Sequence, residues 1–277
     1  MNLNLDNNFS PFTKGENIKF ESFTFSGGEP HIKILSNLSN VKEVNISHKI
    51  QSFQDFGLLL LAIDALKRMG IEKINVFIPY FPAARQDRVM VRGESLSVKV
   101  YTDILNSQHL NKVIIYDVHS EVAPALLNQC VNIDNTDFIQ SALKGLGENT
   151  LLVSPDGGAL KKIYKLAEKL ENYEVLECSK QRNVKTRKLS GFKVYAEDLK
   201  GRDCIIIDDI CDGGRTFIGL AEELKKKNAG KLYLAVSHGI FSKGLEKLGE
   251  HFDKIFTTNA FKDYKTNEKL SVFSLEV

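Results

Sequence analysis

Residues 204–216, Cys204-Ile-Ile-Ile-Asp-Asp-Ile-Cys-Asp-Gly-Gly-Arg-Thr216, constrain this chain more than any other stretch. Cys204 to Ile207 is an unbroken apolar run, and such a run fits a strand buried on both faces, the habit of parallel sheets. It meets two adjacent acids, Asp208 and Asp209. A short loop follows with a third acid, Asp212, then Gly213, Gly214, Arg215 and Thr216. Beyond it Phe217, Leu220, Ala221 and Leu224 recur at helical spacing and form one apolar face. The order is strand, acidic and glycine-rich loop, helix. Glycines let consecutive N–H groups turn into one concavity, and the helix start adds the positive end of its dipole. Such a loop holds a phosphate without a lysine.

Acids beside a phosphate cradle repel the anion unless they have another task. Carboxylates accept hydrogen bonds from hydroxyls, so the combination suits a phosphosugar. The bland alternative is a solvated strand-to-helix turn. The glycine pair, Thr216 and the flanking strand and helix weigh against it. In these features the stretch resembles the ribose-5-phosphate loop of the type I phosphoribosyltransferase fold.

The rest of the chain alternates strand and helix patterns, which predicts an α/β fold with parallel sheets. Helices are expected over 53–69, 95–106 and 158–170, and strands over 74–78, 113–116, 151–153, 174–177 and 232–236. The run Val113-Ile-Ile-Tyr-Asp-Val-His119 echoes Cys204 to Ile210, since both lead an apolar strand into an acid. Two similar halves with a junction near 132–136 explain the echo. A length of 277 residues suits one large or two modest domains, and 43% hydrophobic residues are enough for a real core. The net charge of +2 gives no bulk electrostatic case for nucleic acid or membrane binding. No long apolar span and no signal peptide are visible. The four cysteines lack metal-type spacing, so a reduced, cytoplasmic protein is the expectation.

Several loops carry candidate chemistry. Pro79-Tyr-Phe-Pro-Ala-Ala-Arg-Gln-Asp-Arg88 follows a strand at the end where ligands bind in α/β sheets. Arg85 and Arg88 suit a polyphosphate and Gln86 a base edge, against a bland reading as a surface loop with ion pairs. His119 and Asp156, the latter in Ser154-Pro-Asp-Gly-Gly158, place an imidazole and a carboxylate on strand ends as partners for Mg²⁺. Lys180-Gln-Arg182 opens a polar stretch to Gly191. It reads either as a mobile solvated hairpin or as a loop that closes cations over phosphates.

Taken together these motifs resemble the ribose-phosphate pyrophosphokinase (PRPP synthetase) family. Tyr80 to Arg88 looks like its adenine-nucleotide loop. Asp117-Val-His119 and Ser154 to Gly158 are similar to its metal- and phosphate-side motifs. Ser179 to Arg182 resembles the start of its catalytic flexible loop, and Asp208 to Thr216 its phosphoribosyl loop. Phe25-Ser-Gly-Gly-Glu29 resembles the segment that reaches ATP across a subunit interface in that family. The resemblance implies two phosphoribosyltransferase-like domains, 1–133 and 134–277, each a central, mainly parallel sheet flanked by helices. It implies transfer of a diphosphoryl group from ATP to ribose 5-phosphate, with Mg²⁺, in a homo-oligomer. Phe25, Glu29, Arg85, Gln86, Asp87, Arg88 and His119 would hold ATP, and His119 and Asp156 would set the metal. Lys180 and Arg182 would be catalytic. Asp208, Asp209, Asp212, Gly213, Gly214, Arg215 and Thr216 would bind ribose 5-phosphate.

The chain departs from the family pattern in places. Gly27 stands where an acid or amide is usual, Gly213 replaces a threonine, and Arg215 replaces a small residue. One hydroxyl donor is lost and one cation gained. Two other functions compete with the enzyme: a catalytically silent regulatory homologue, and a PRPP-consuming phosphoribosyltransferase. Retention of Lys180, Arg182, His119 and Asp156 argues against the first, and Arg85 to Arg88 with Lys180 against the second.

Overall fold

The computed structural model describes residues 1–171, 173–182 and 189–277, and the side chains of 181, 182, 189 and 190 lie outside that description. The chain divides into two compact units. The first comprises Met1–Asp134 with Ser274–Val277, and the second Asn135–Phe273. The expected division put the last four residues in the second half. They cluster with the first unit, where the Val277 N–H donates to the Pro11 carbonyl at 2.8 Å.

Unit 1 contains β1 (Asn2–Asn4), β2 (Phe20–Thr24), β3 (Pro30–Ile34), β4 (Glu43–Ser47), α1 (Phe53–Arg68), β5 (Lys73–Ile78), α2 (Ser97–Asn106), β6 (Lys112–Tyr116), α3 (Val122–Leu126) and β7 (Cys130–Ile133). Its main sheet has the order β1-β4-β5-β6-β7, and every pair in it is parallel. Helix α1 forms because Phe56, Leu59, Ile63 and Leu66 share one face and are fully buried against the sheet residues Ile46, Val76 and Ile78. Each such side chain contributes about 1.5–3 kcal/mol. A capping box starts it: the Ser52 side chain accepts from Asp55 N–H, and the Asp55 carboxylate accepts from Ser52 N–H. The β2–β3 hairpin stands apart from the main sheet and packs on α1.

Unit 2 contains α4 (Thr136–Leu143), β8 (Leu151–Ser154), α5 (Leu160–Leu170), β9 (Val175–Arg182), β10 (Leu189–Val194), β11 (Cys204–Cys211), α6 (Arg215–Lys226), β12 (Leu232–Gly239), α7 (Glu246–His251), β13 (Lys254–Thr258) and β14 (Leu270–Phe273). The sheet order is β10-β9-β8-β11-β12-β13-β14, parallel except for β10. Alternate residues of β11 serve opposite faces. Cys204 and Ile206 pack with α6, whereas Ile205 and Ile207 pack with α4 and α5. Burial on both sides is the reason the run is continuously apolar.

The structure corrects one sequence expectation here. Strand β11 does not end at Ile207 but continues through both acids to Cys211, because its pairing with β12 runs from Cys204↔Leu232 to Cys211↔Gly239. The backbone ladder outweighs the poor strand preference of aspartate. Of the two readings of the polar stretch after Ser179, the described residues show the hairpin: Lys180 lies within β9, paired with Phe192 of β10, and 183–188 lie outside the described residues. Helix α1 begins at Phe53 as expected, two other expected helices begin two residues later than their patterns, at Ser97 and Leu160, and β9 runs well past Glu177.

Helix α6 packs on β10 at one close point. A Cβ at Gly219 would lie 2.5 Å from Cε2 of Phe192. In an open helix Gly→Ala stabilises by about 1 kcal/mol. Gly219→Ala is expected to lower Tm instead, by forcing Phe192 away and loosening the strand pair that carries Lys180. Thermal denaturation followed by circular dichroism checks the sign.

Candidate functional site

In unit 2 the chain runs from β8 outward to β9, then returns to lay β11 on the other side of β8. Strand order reverses between β8 and β11, and ligands in such sheets bind at the carboxyl ends of the strands flanking that point. The segments leaving those two ends are Pro155–Gly158 and Asp212–Thr216.

Within the last half of β11 Asp208 is half-buried and Asp209 buried. Burial first, then the neighbouring Asp209 charge, push the Asp208 carboxyl well above the usual carboxylate range. One partial offset is the Asp209 N–H, which donates to Asp208 Oδ1 at 2.9 Å. Beyond them Gly214 takes a left-handed conformation, φ 75°, as N-cap of α6. A Cβ there would lie 3.0 Å from Leu248, so only glycine fits. No side chain caps α6, which leaves its leading N–H groups for an anion. Gly213 is different, since its Cβ position meets ordinary contacts of 3.6 Å or more. Arg215 is exposed at the first helical position and Thr216 is half-buried beside it.

Asp156 turns its carboxylate back on its own loop. Oδ1 accepts from Gly158 N–H at 2.9 Å and Ala159 N–H at 3.2 Å, and Oδ2 accepts from Lys180 Nζ at 2.5 Å. Burial opposes its ionisation. The Lys180 ammonium and the two backbone donors outweigh that and hold it below its ordinary value. The carboxylate expected to set the metal is thus the partner of the lysine expected to be catalytic, 24 residues away. Arg182, the other expected catalytic residue, has its side chain outside the described residues.

In unit 1 the strands follow one another without reversal, and the candidate residues leave the adjacent ends of β5 and β6. Both connections carry left-handed backbone at residues with a side chain, Ala83 (φ 58°) and Asp117 (φ 37°). Strain of this kind gathers at ligand loops. Arg85, Gln86 and Arg88 are exposed, while the Asp87 side chain is only 5% exposed. Arg88 Nε donates to Asp87 at 3.0 Å. That contact is the main cause holding Asp87 below the usual range; burial opposes it, and Ser120 and His119 add to it. Asp87 therefore orients Arg88 and joins the loop to His119. Ser120 was not read from the sequence, because no spacing rule connects residues 87 and 120.

Phe25–Glu29 forms the tip of the β2–β3 hairpin, closed by Phe25 N–H to the Glu29 carbonyl at 2.9 Å. Gly27 leaves room for the Glu29 carboxylate, which a Cβ would meet at 2.5 Å. Phe23 and Phe25 are about half exposed and contact each other and His31.

Among the described residues no three His, Cys, Asp or Glu side chains converge to hold a metal, and no helix is long and apolar enough to cross a membrane. Burial pushes the thiols of Cys178, Cys204 and Cys211 up to about 12, so they stay protonated and inert.

The raised carboxyl of Asp208 gives a stability test. A group whose folded pKa exceeds its unfolded value adds stability below the unfolded pKa and loses it as pH rises toward the folded one. Asp208→Asn keeps the acceptor for Asp209 N–H and removes the charge. Without ligands the variant is expected to match the wild type in Tm near pH 4 and to exceed it increasingly toward pH 8. Denaturation scans across that range measure the divergence.

The model for the N-terminal domain of ribose phosphate pyrophosphokinase matches residues 5–108, and that for the phosphoribosyl transferase domain matches 128–270. The ribose-phosphate pyrophosphokinase of Mycoplasmopsis pulmonis is 31% identical over 223 residues, covering 78% of this chain and 69% of that protein. That of Thermococcus kodakarensis is 31% identical over 248 residues, covering 87% and 85%. In fold, the chain is similar to the crystal structure of phosphoribosylpyrophosphate synthetase from Mycobacterium smegmatis, with a TM-score of 0.82 and 24% identity over 94% of this chain and 87% of that one. With both domain models matched in order and the relatives covered over most of their length, this chain belongs to the ribose-phosphate pyrophosphokinase family.

Proposed function

We propose that this chain is a working ribose-phosphate pyrophosphokinase that transfers the β,γ-diphosphoryl group of ATP to the 1-hydroxyl of ribose 5-phosphate, giving PRPP and AMP. The observation that carries the reading is the phosphosugar site of unit 2. An uncapped helix start behind Gly214 lies beside an acid pair at the sheet's switch point, with Lys180 retained. In the reaction the anomeric oxygen attacks the β-phosphorus. The bond to the oxygen bridging the α- and β-phosphates breaks, that oxygen leaves on AMP, and the anomeric proton is released. Such a transfer needs in-line positioning and charge neutralisation more than covalent help.

Asp208 and Asp209 accept hydrogen bonds from ribose hydroxyls, and Asp212 to Thr216 cradle the 5-phosphate. Arg85, Gln86, Arg88 and His119 hold ATP, with Asp87 fixing Arg88. Lys180 meets the charge that builds on the transferred phosphates, releasing Asp156 as it does so. Arg182 shares that role by resemblance alone. The residues fit Mg²⁺: repulsion between Asp208 and Asp209 is relieved by a cation, and magnesium held by phosphates takes few protein ligands. By the family resemblance alone His119 and Asp156 would hold the ion, which would neutralise polyphosphate charge. The exposed Phe23–Phe25 tip supports a homo-oligomer in which the hairpin seats near a second copy's ATP loop; light scattering tests the assembly. The inert buried thiols support a reduced, cytoplasmic setting.

Purified protein given ATP, Mg²⁺ and ribose 5-phosphate is expected to form AMP and PRPP. Failure to form AMP would leave the silent homologue, and consumption of supplied PRPP without ATP would favour the phosphoribosyltransferase. In the same assay Lys180→Ala should lower kcat by about 10²–10³ with little change in KM, as for loss of a donor that acts mainly in the transition state. An unchanged kcat removes Lys180 from the mechanism. Arg215 stands beside a cradle that lacks one hydroxyl donor, and a guanidinium there makes up a charge-assisted contact. Arg215→Gly is expected to raise the KM for ribose 5-phosphate several-fold at low salt and less at high salt. A KM that does not move at low salt places Arg215 outside the sugar-phosphate contact.

A further inference from the structure

In unit 2 a turn at residues 240–245, between β12 and α7, lies along the loop at 212–216 without belonging to it. Its backbone is tied to the end of β11 and the start of that loop. The Ile240 and Phe241 N–H groups both donate to the Cys211 carbonyl, at 2.9 and 3.1 Å, and the Ser242 N–H donates to the Asp212 carbonyl at 3.2 Å. The next residue is Lys243. We infer that Lys243 is a specificity-determining residue for the phosphosugar, its ammonium meeting the 5-phosphate from outside the strand, loop and helix that form the cradle. The inference rests on the phosphosugar reading of that cradle.

Placement, rigidity and charge converge on that role. A Cβ at Gly213 would lie 3.6 Å from Lys243 Cγ and 3.9 Å from Ser242 Oγ, so the lysine stem passes the space where a side chain at 213 would begin. The rest of the stem is long enough to carry Nζ over the uncapped start of α6, the end of the helix that favours anions. The turn itself is held. Phe241 takes a left-handed backbone, φ 46°, which is rare for a bulky residue, and Gly244 takes another, φ 75°. The Gly244 N–H closes the turn on the Phe241 carbonyl at 2.9 Å. Packing enforces the strained residue: Phe241 is buried, and its ring lies 5.4 Å from that of Tyr264, whose hydroxyl donates to the Ile240 carbonyl at 2.9 Å. Strain over-determined in this way clusters where a ligand needs one geometry. Lys243 is exposed, and among the described residues no carboxylate pairs with it, although Asp208, Asp209 and Asp212 all belong to the adjoining stretch. Those acids suit sugar hydroxyls but repel a phosphate. An ammonium that stays unpaired beside them offsets the repulsion where the phosphate sits.

The test uses the full chain with ribose 5-phosphate as probe and no ATP. Calorimetry should show binding about tenfold weaker for Lys243→Ala at low salt, the scale of one hydrogen bond to a charged group, and a smaller loss at high salt. Lys243→Arg should keep most of the affinity. Gly213 does not take a left-handed φ, so a side chain fits its backbone. Adding Gly213→Ser to Lys243→Ala should therefore place a hydroxyl in the vacated space and restore part of the loss. In turnover the KM for ribose 5-phosphate should rise with Lys243→Ala while that for ATP stays put. Wild-type sugar-phosphate affinity in Lys243→Ala, or a loss that ignores salt and that Lys243→Arg does not repair, overturns the role of Lys243 alone. Lys243-dependent binding in a protein that makes no PRPP sinks the proposed reaction and leaves that role standing. A wild-type protein that binds no ribose 5-phosphate overturns both.

Discussion

The backbone ladder between β11 and β12 is the constraint on which unit 2 depends. Two adjacent aspartates are poor strand residues, and Asp208 carries a carboxyl that its surroundings push toward the neutral form. They remain in β11 because the ladder to β12 continues beyond them to Cys211 and Gly239. The hydrophobic layers on both faces of the sheet hold that ladder in register. The result is an acid pair fixed in position just before the chain turns into the candidate phosphate cradle. Strain of this kind is stored at binding sites and offset by packing elsewhere.

The Lys180–Asp156 pair follows from the same arrangement. Strand β9 lies next to β8, so a lysine near the end of one reaches a carboxylate just past the end of the other. The ammonium is held by a backbone-anchored acid, and the sheet sets where its stem begins. Strand pairing with Phe192 of β10 holds the lysine's backbone on the other side.

Unit 1 reaches a binding edge by another route. Its sheet has no reversal of strand order, and the candidate residues gather because β5 and β6 are neighbours whose connections both leave the same end. Inward-facing Asp87 ties the two connections together through Arg88, Ser120 and His119. The site is therefore built from a buried carboxylate outward, with the exposed arginines as its reach.

The sequence by itself determined the elements whose signal is local. The helical face of α1, the apolar runs of β5, β6, β8 and β11, and the turn chemistry at Gly213 and Gly214 were legible because burial imprints a period on adjacent residues. The motifs of the Arg85–Arg88 and Asp208–Thr216 loops were legible for the same reason, since each is one short stretch. Only the tertiary structure decided what depends on neighbours distant in the chain. The extension of β11 through its acids required β12. The contact of Asp87 with Ser120 required the ends of β5 and β6 side by side. The pairing of Lys180 with Asp156 required β8 and β9 side by side. The β2–β3 hairpin, half exposed and weakly periodic, left little pattern to read. Phe53 carries the same apolar signal as its buried neighbour Phe56, yet one lies in water and the other in the core. The difference is set by where helix α1 begins relative to the sheet, which no local rule contains.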